Sequence, residues 1–258
     1  MAPTHMENSE SQSPTFDLNS AAFISDFGRS DIDDKMIGRA TGYLEASPVG
    51  LLADAMAEIM RALQGADPRR IAKKTGFLAR FTGADLHAIA AVTSSQKVLE
   101  SKIEQADPIA AQLEEFLSNV DDVINVMQLG TKALIEQLES GRAFLRDNPG
   151  AGVPQEQQQF DNPRERFSRR LANMATLVAS HEMTGHQLRL ARAQAVDMLD
   201  RYREVREVLL PVWRQHQLGL ANQKLLDPIS SMKAIQAHEA MQTAVAASLK
   251  NPPTDVDE

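Results

Sequence analysis

Apolar residues recur along most of this chain at intervals of three and four, the periodicity of one helix face. Leu51, Leu52, Ala55, Met56, Ile59, Met60 and Leu63 make such a face, and Ser47-Pro48 ahead of them places proline where a helix starts. A helix from about 48 to 64, ended by Gly65, is predicted. Asp67-Pro68 repeats the signal for a shorter helix to about 80, and Thr82 with Asp85 resembles a capping box opening a helix from about 83 to 105. Asp107-Pro108 is read as the start of the next helix, which reaches Asp147. Its seam, Ile109, Leu113, Phe116, Val120, Val123, Met127, Gly130 and Leu134, alternates steps of four and three, the heptad pattern of a coiled coil. Gly130 and Gly141 lie on or beside it and are read as places of close helix packing, because glycine otherwise lowers helix propensity by about 1 kcal/mol.

The Pro/Gly/Gln-rich stretch 149–161 is the clear internal loop, and Asn162-Pro163 restarts helix. A second seam follows: Phe167, Leu171, Met174, Val178, His181, Gly185, Leu188, Arg192, Ala195, Leu199, Tyr202, Arg206, Leu209 and Trp213. This helix is predicted to run to about 226 with a kink near Pro211. Proline lacks the amide hydrogen and its ring clashes one turn back, at roughly 3 kcal/mol in a helix interior. The kink is expected to insert Trp213, the only tryptophan, into the core. Asp227-Pro228 opens a last helix to about 248.

Two long helices joined by a short loop return antiparallel. The expected fold class is therefore all-α: an elongated antiparallel helical hairpin or coiled coil, with shorter helices forming a bundle at one end. The helical domain is placed at 47–250, between a disordered acidic segment, 1–46, and a disordered tail, 251–258. One island in the first segment, Phe16, Leu18, Phe23, Ile24 and Phe27, suggests docking on a partner or on the chain's own bundle, with a weakly ordered tail as the alternative.

Composition narrows the function. There are no cysteines, which excludes disulfides and thiolate chemistry. Of the net charge of −8, residues 1–60 carry −7, with ten acids and three basic residues. The remainder is close to neutral and lacks the footprint of a nucleic-acid binder. No secretory signal and no apolar run of about 20 residues is evident, so a cytoplasmic location is expected.

No constellation of residues points to a reaction. His181 and His186 flank Glu182, but the zinc-protease motif needs histidines four apart, and these are five apart. His181 is expected on the seam and His186 off it. Asp31, Asp33 and Asp34 lack the glycine and later glutamate of a calcium loop. No catalytic residue, cofactor or metal is expected. Arg164, Arg166, Arg169 and Arg170 cluster at a helix start, where an anion is favoured. Arg166, Arg169 and Arg170 are thus anion-binding candidates, against the weightier reading of a solvated, salt-bridged face.

Pro211-Val212-Trp213-Arg214 resembles the Pro-x-Trp-basic element of the toxic-anion (tellurite) resistance family, TelA/KlaA-like. Its flanks agree: Gln187-Leu188-Arg189-Leu190 before it, and Leu218-Gly219-Leu220-Ala221-Asn222-Gln223-Lys224 after it. Gly141 to Asn148, ending Arg146-Asp147-Asn148, is similar to a further family element. The resemblance covers about 76–245, and the short span between Asn148 and Pro163 suggests a shortened member.

The resemblance implies a bacterial protein tied to toxic-anion, phage, colicin or envelope stress, with no catalytic residues to carry over. Arg146, Asp147, Asn148, Gln187, Arg189, Pro211, Trp213 and Gln223 become candidates for structural or partner-binding roles. The first reading is a non-enzymatic scaffold whose partner belongs to the same stress-response system, with homo-oligomerisation left open. A direct oxyanion binder is the alternative. A membrane-surface protein is a further one, disfavoured by Asp54 and Glu58 against the single Arg61 on helix 48–64.

Overall fold

A computed structural model describes residues 16–29, 34–67, 84–154, 161–222 and 228–250. These residues form α1 (Ala21–Asp26), α2 (Asp34–Glu45), α3 (Val49–Gly65), α4 (Ala84–Asp147) and α5 (Pro163–Arg203). A π-helical turn (Glu204–Leu209), α6 (Leu210–Asn222) and α7 (Pro228–Lys250) follow. No strand occurs among the described residues, so the fold is all-α, with long helices packed on one another. The expected helix at 68–80 and candidate Gln223 lie outside the described residues.

The chain divides into two units. The smaller comprises Met1–Lys35 with Asn125–Gly185, and the larger Met36–Ile124 with His186–Glu258. Both α4 and α5 contribute residues to each.

In the smaller unit α4 and α5 run antiparallel around Leu134, Leu138, Phe167, Leu171 and Met174. The turn between them is tied by Arg164, whose guanidinium donates to the carbonyls of Leu145 at 2.7 Å and Asn148 at 2.8 Å. Those carbonyls lie at the end of α4, where no helical amide remains to meet them. Asn148 adds a bond from its own Nδ2 to the Phe144 carbonyl at 3.0 Å.

Segment 16–29 packs on this pair, within the stretch 1–46 expected to be disordered. Ser20 caps α1 by accepting from the Phe23 amide, and Leu18 and Ile24 are buried. Phe16 stacks on Phe144 with centroids 4.3 Å apart, and Phe27 meets Phe167 edge-on at 4.9 Å. Arg170 donates to the Phe27 carbonyl at 2.7 Å. Docking on the chain's own bundle, one of the alternatives this island offered, is what the structure shows, with Phe16, Phe23 and Phe27 half-buried. Within the same stretch α2 is also helical, with Ala40 buried and Tyr43 edge-on to Phe116 in the larger unit.

Two glycines admit this packing. At Gly141 a Cβ would lie 2.6 Å from Leu171 Cδ2 and 3.1 Å from the Phe27 ring, which is the close approach expected there. Gly28 has φ +71°, and its Cβ would lie 2.1 Å from Met174 Cε.

The larger unit gathers α2, α3, the first part of α4, the last part of α5, the π-turn, α6 and α7. Leu52, Met56, Ile59 and Leu63 of α3 are buried, and α7 packs on both α3 and α6. The predicted break at Asp107-Pro108 is absent, since Pro108 lies inside α4. Asp107 does not cap a helix start. Its carboxylate is taken by side chains from the facing chain, and α4 continues through the proline.

Gly28→Ala should destabilise the smaller unit by about 1–3 kcal/mol, through the left-handed backbone and the overlap with Met174. Hydrogen exchange read at amides 16–29 should speed up more than at α7; equal protection in variant and wild type would refute this packing.

Candidate functional site

Four acids of α4 stand seven residues apart: Glu100, Asp107, Glu114 and Asp121. Each follows a buried residue, Leu99, Ala106, Leu113 and Val120, so all four flank the core stripe on the same side. Each meets an arginine of the returning chain. Arg192 binds both oxygens of Asp121, and Arg203 reaches Glu114 at 2.6 Å. Arg206 grips both oxygens of Asp107, and Arg214 reaches Glu100 at 2.9 Å. The acid numbers fall as the arginine numbers rise, so α4 and the returning chain are antiparallel here.

Asp107 is the most connected member. It also accepts from the Tyr202 hydroxyl, 2.8 Å away, and that hydroxyl lies 3.0 Å from the Ile103 carbonyl. The Arg206 guanidinium holds the Asp107 carboxyl below the ordinary carboxylate range, with Tyr202 assisting against partial burial. Burial pushes the Tyr202 phenol above its ordinary value, and the neighbouring Asp107 pushes the same way. Tyr202 is therefore a neutral donor at physiological pH. Pro108 leaves the carbonyl one turn before it without a helical amide, and Tyr202 contacts this same turn of α4.

The π-turn lies between Arg203 and Leu210. The Leu210 amide bonds to the Val205 carbonyl, five residues back. A π-turn holds one extra residue, and so shifts every later side chain around the axis. Buried positions accordingly step from Tyr202 to Val205, then Leu210, Trp213 and Gln217. Arg206 and Leu209, both expected on the seam, are displaced: Arg206 is exposed and Leu209 half-buried. The expected kink near Pro211 takes the form of this widened turn, which relaxes the ladder where proline supplies no amide.

Trp213 is 1% exposed, and its Nε1 donates to His238 Nδ1 of α7 at 3.2 Å. The indole thus joins α6 to α7 by area and by one hydrogen bond. Arg201 makes a second tie, donating to the Ala247 carbonyl of α7 at 2.9 Å.

The remaining candidates are dispersed. Arg146 pairs with its neighbour Asp147 at 3.1 Å, and Asn148 ends α4, so this triplet is a helix terminus in the smaller unit. Gln187 and Arg189 are exposed on α5, and Pro211 is exposed on α6. Arg166 is held by Asp161 at 3.0 Å and Arg170 by the Phe27 carbonyl. Arg169 alone of the three anion candidates has no partner among the described residues, at the edge of an open groove beside Ala21, Ser25 and Asn173.

His181 is 3% exposed in the smaller unit, and neither ring nitrogen has a hydrogen-bond partner among the described residues. His186 is exposed. No group of three His, Asp or Glu among the described residues could hold a metal ion. No described helix is long and apolar enough to cross a membrane.

Sequence reading missed Asp107, Tyr202 and His238 as interaction partners. The seven-residue spacing of the acids was the available signal for Asp107. Nothing in the spacing of residues marks His238, which meets Trp213 only through the packing of α7.

Fold and site together define an all-α protein whose larger unit is aligned by an arginine–carboxylate ladder and closed by a buried tryptophan. No family model matches the chain, and no solved structure matches it. Over 232 residues it is 37% identical to "Protein KlaA" of Escherichia coli, a match that covers 90% of each chain. The chain belongs to the KlaA family. The match covers the same share of both chains, which are therefore of similar length.

Trp213→Ala should cost about 3–5 kcal/mol in urea unfolding, and Trp213→Phe only about 1–2 kcal/mol, since most of the volume remains. A loss below about 1 kcal/mol for the alanine variant would rule out a core anchor.

Burial holds the His181 imidazole below its ordinary value of 6.5, so the unfolded chain binds the extra proton first. Stability should therefore fall as pH drops below 6.5. In thermal melts at about pH 7.5 and 5.5, His181→Leu should reduce this acid sensitivity; an unchanged pH response would contradict the assignment.

Proposed function

We propose that this protein is a non-enzymatic helical scaffold, a partner-binding module of a bacterial stress-resistance system directed at tellurite and similar toxic anions, phage, colicin or envelope damage. Its partner is a protein of the same system, and its place of action is the cytoplasm. The family membership and the resemblance carried by Pro211-Val212-Trp213-Arg214 support this reading.

The observation that carries it is the use made of the arginines. The arginines of the ladder and of the 164–170 cluster, Arg169 excepted, are engaged inside the molecule. Arg192, Arg203, Arg206 and Arg214 pair with acids of α4. Arg164 and Arg170 bind backbone carbonyls, and Arg166 binds Asp161. Arginine here organises helices. Tyr202 and Trp213, also in the larger unit's core, are likewise bonded within it.

The direct oxyanion-binding reading would then rest on Arg169 with the engaged Arg166 and Arg170. Titration calorimetry of the full chain with tellurite should show no binding heat. Cells lacking the gene and complemented with Arg169→Ala plus Arg170→Ala should keep resistance. Micromolar tellurite binding that disappears in this variant, together with lost resistance, would replace the scaffold reading with the oxyanion one.

A further inference from the structure

The ladder sorts charge around the π-turn. Arg203, Arg206 and Arg214 are turned onto α4 and neutralised by Glu114, Asp107 and Glu100. Several residues between them face away. Glu204, Glu207, Val208, Pro211 and Val212 are exposed, with Val208 at 56% and Val212 at 44%. The step from buried Val205 to buried Leu210 leaves four consecutive residues outside the core, so the extra residue of the π-turn builds this outward face. Neither Glu204 nor Glu207 has an ion-pair partner among the described residues. The result is an aliphatic ridge beside two uncompensated carboxylates.

We propose that this ridge docks a basic amphipathic helix of a partner protein. The inference rests on the partner-binding reading above and gives it a surface. Lysine or arginine of the partner meets Glu204 and Glu207, while aliphatic side chains cover Val208, Pro211 and Val212. Val208 and Val212, four residues apart, form the kind of ridge that seats in the groove of another helix. Charge decides between occupants. An anionic lipid surface is repelled by the two carboxylates. A second copy pairing through the same face would gather four carboxylates with no cation to meet them.

The test uses the full chain and a fluorescent synthetic helix built from lysine and leucine, read by anisotropy at low and at physiological salt. Binding should weaken with salt. It should fall by about tenfold or more in Glu204→Lys plus Glu207→Lys, and also in Val208→Ser plus Val212→Ser. Val126→Ser plus Leu129→Ser, an exposed pair of the smaller unit, should bind as wild type. Circular dichroism verifies that each variant is folded. Equal affinity across all variants overturns the proposal, as does preference for a glutamate–leucine helix, binding to anionic vesicles, or a dimer in sedimentation that Val208→Ser disperses. In complemented cells, loss of resistance in Glu204→Lys plus Glu207→Lys supports the surface. Full resistance in that variant overturns the surface and leaves the scaffold reading standing, which the tellurite calorimetry tests separately.

Discussion

Register between α4 and the chain that returns along it is the constraint on which the larger unit depends. The acids of α4 repeat every seven residues, but the arginines that meet them, Arg192, Arg203, Arg206 and Arg214, do not. Arg192 and Arg203, eleven residues apart on α5, share a face of a regular helix, whereas Arg206 and Arg214 lie within and beyond the π-turn. The π-turn alters the phase between Arg203 and Leu210, and the pairs with Asp107 and Glu100 form around it. Pro211 gives that irregularity a chemical cause, because it supplies no amide to the ladder. The ion pairs are half-exposed, and each contributes only about 0.2–1 kcal/mol. Their value lies in direction: a slipped alignment would set the acids opposite Val205 or Leu209 instead of arginine.

The smaller unit solves a different problem. Its aliphatic core, with Phe167, is covered by half-buried phenylalanines from the N-terminal segment and the end of α4, and small residues decide how closely those stretches approach. Gly141 lets Leu171 and Phe27 reach the backbone of α4, and Gly28 turns the chain where a side chain would strike Met174. Arg170 then fixes the end of the N-terminal segment through the Phe27 carbonyl. Aliphatic and aromatic area together supply the stability here, and glycine supplies the fit.

Much of this was legible in the sequence. Both seams held at most apolar positions: Leu113, Phe116, Val120 and Val123 on one, Phe167, Leu171, Met174 and Tyr202 on the other, all buried, with Ile109 and Leu209 half-buried. What failed had local causes. Asp107-Pro108 has the form of a helix start, yet Arg206 and Tyr202, nearly a hundred residues away, claim the carboxylate and hold α4 continuous. Arg206 and Leu209 were misplaced because an unbroken heptad cannot represent an extra residue. Segment 16–29 was set inside a disordered stretch, although its apolar island, Phe16, Leu18, Phe23, Ile24 and Phe27, already offered docking on the chain's own bundle. Of the candidate site, Trp213 was legible as a core anchor because a lone tryptophan beside proline on a seam has few other uses. Its partner His238 was not, since it depends on the docking of a separate helix.

The surface of the larger unit around the π-turn follows from the alignment of α4 with the returning chain. The most direct measurement is a set of double-mutant cycles on either side of the π-turn, at Asp107 with Arg206 and at Glu100 with Arg214, against the mismatched pair Asp107 with Arg203. Coupling of about 0.5 kcal/mol or more at both matched pairs, and near zero at the mismatch, is the expected result. Coupling at Asp107 with Arg203, or none at Glu100 with Arg214, would contradict the register and the role assigned to the π-turn.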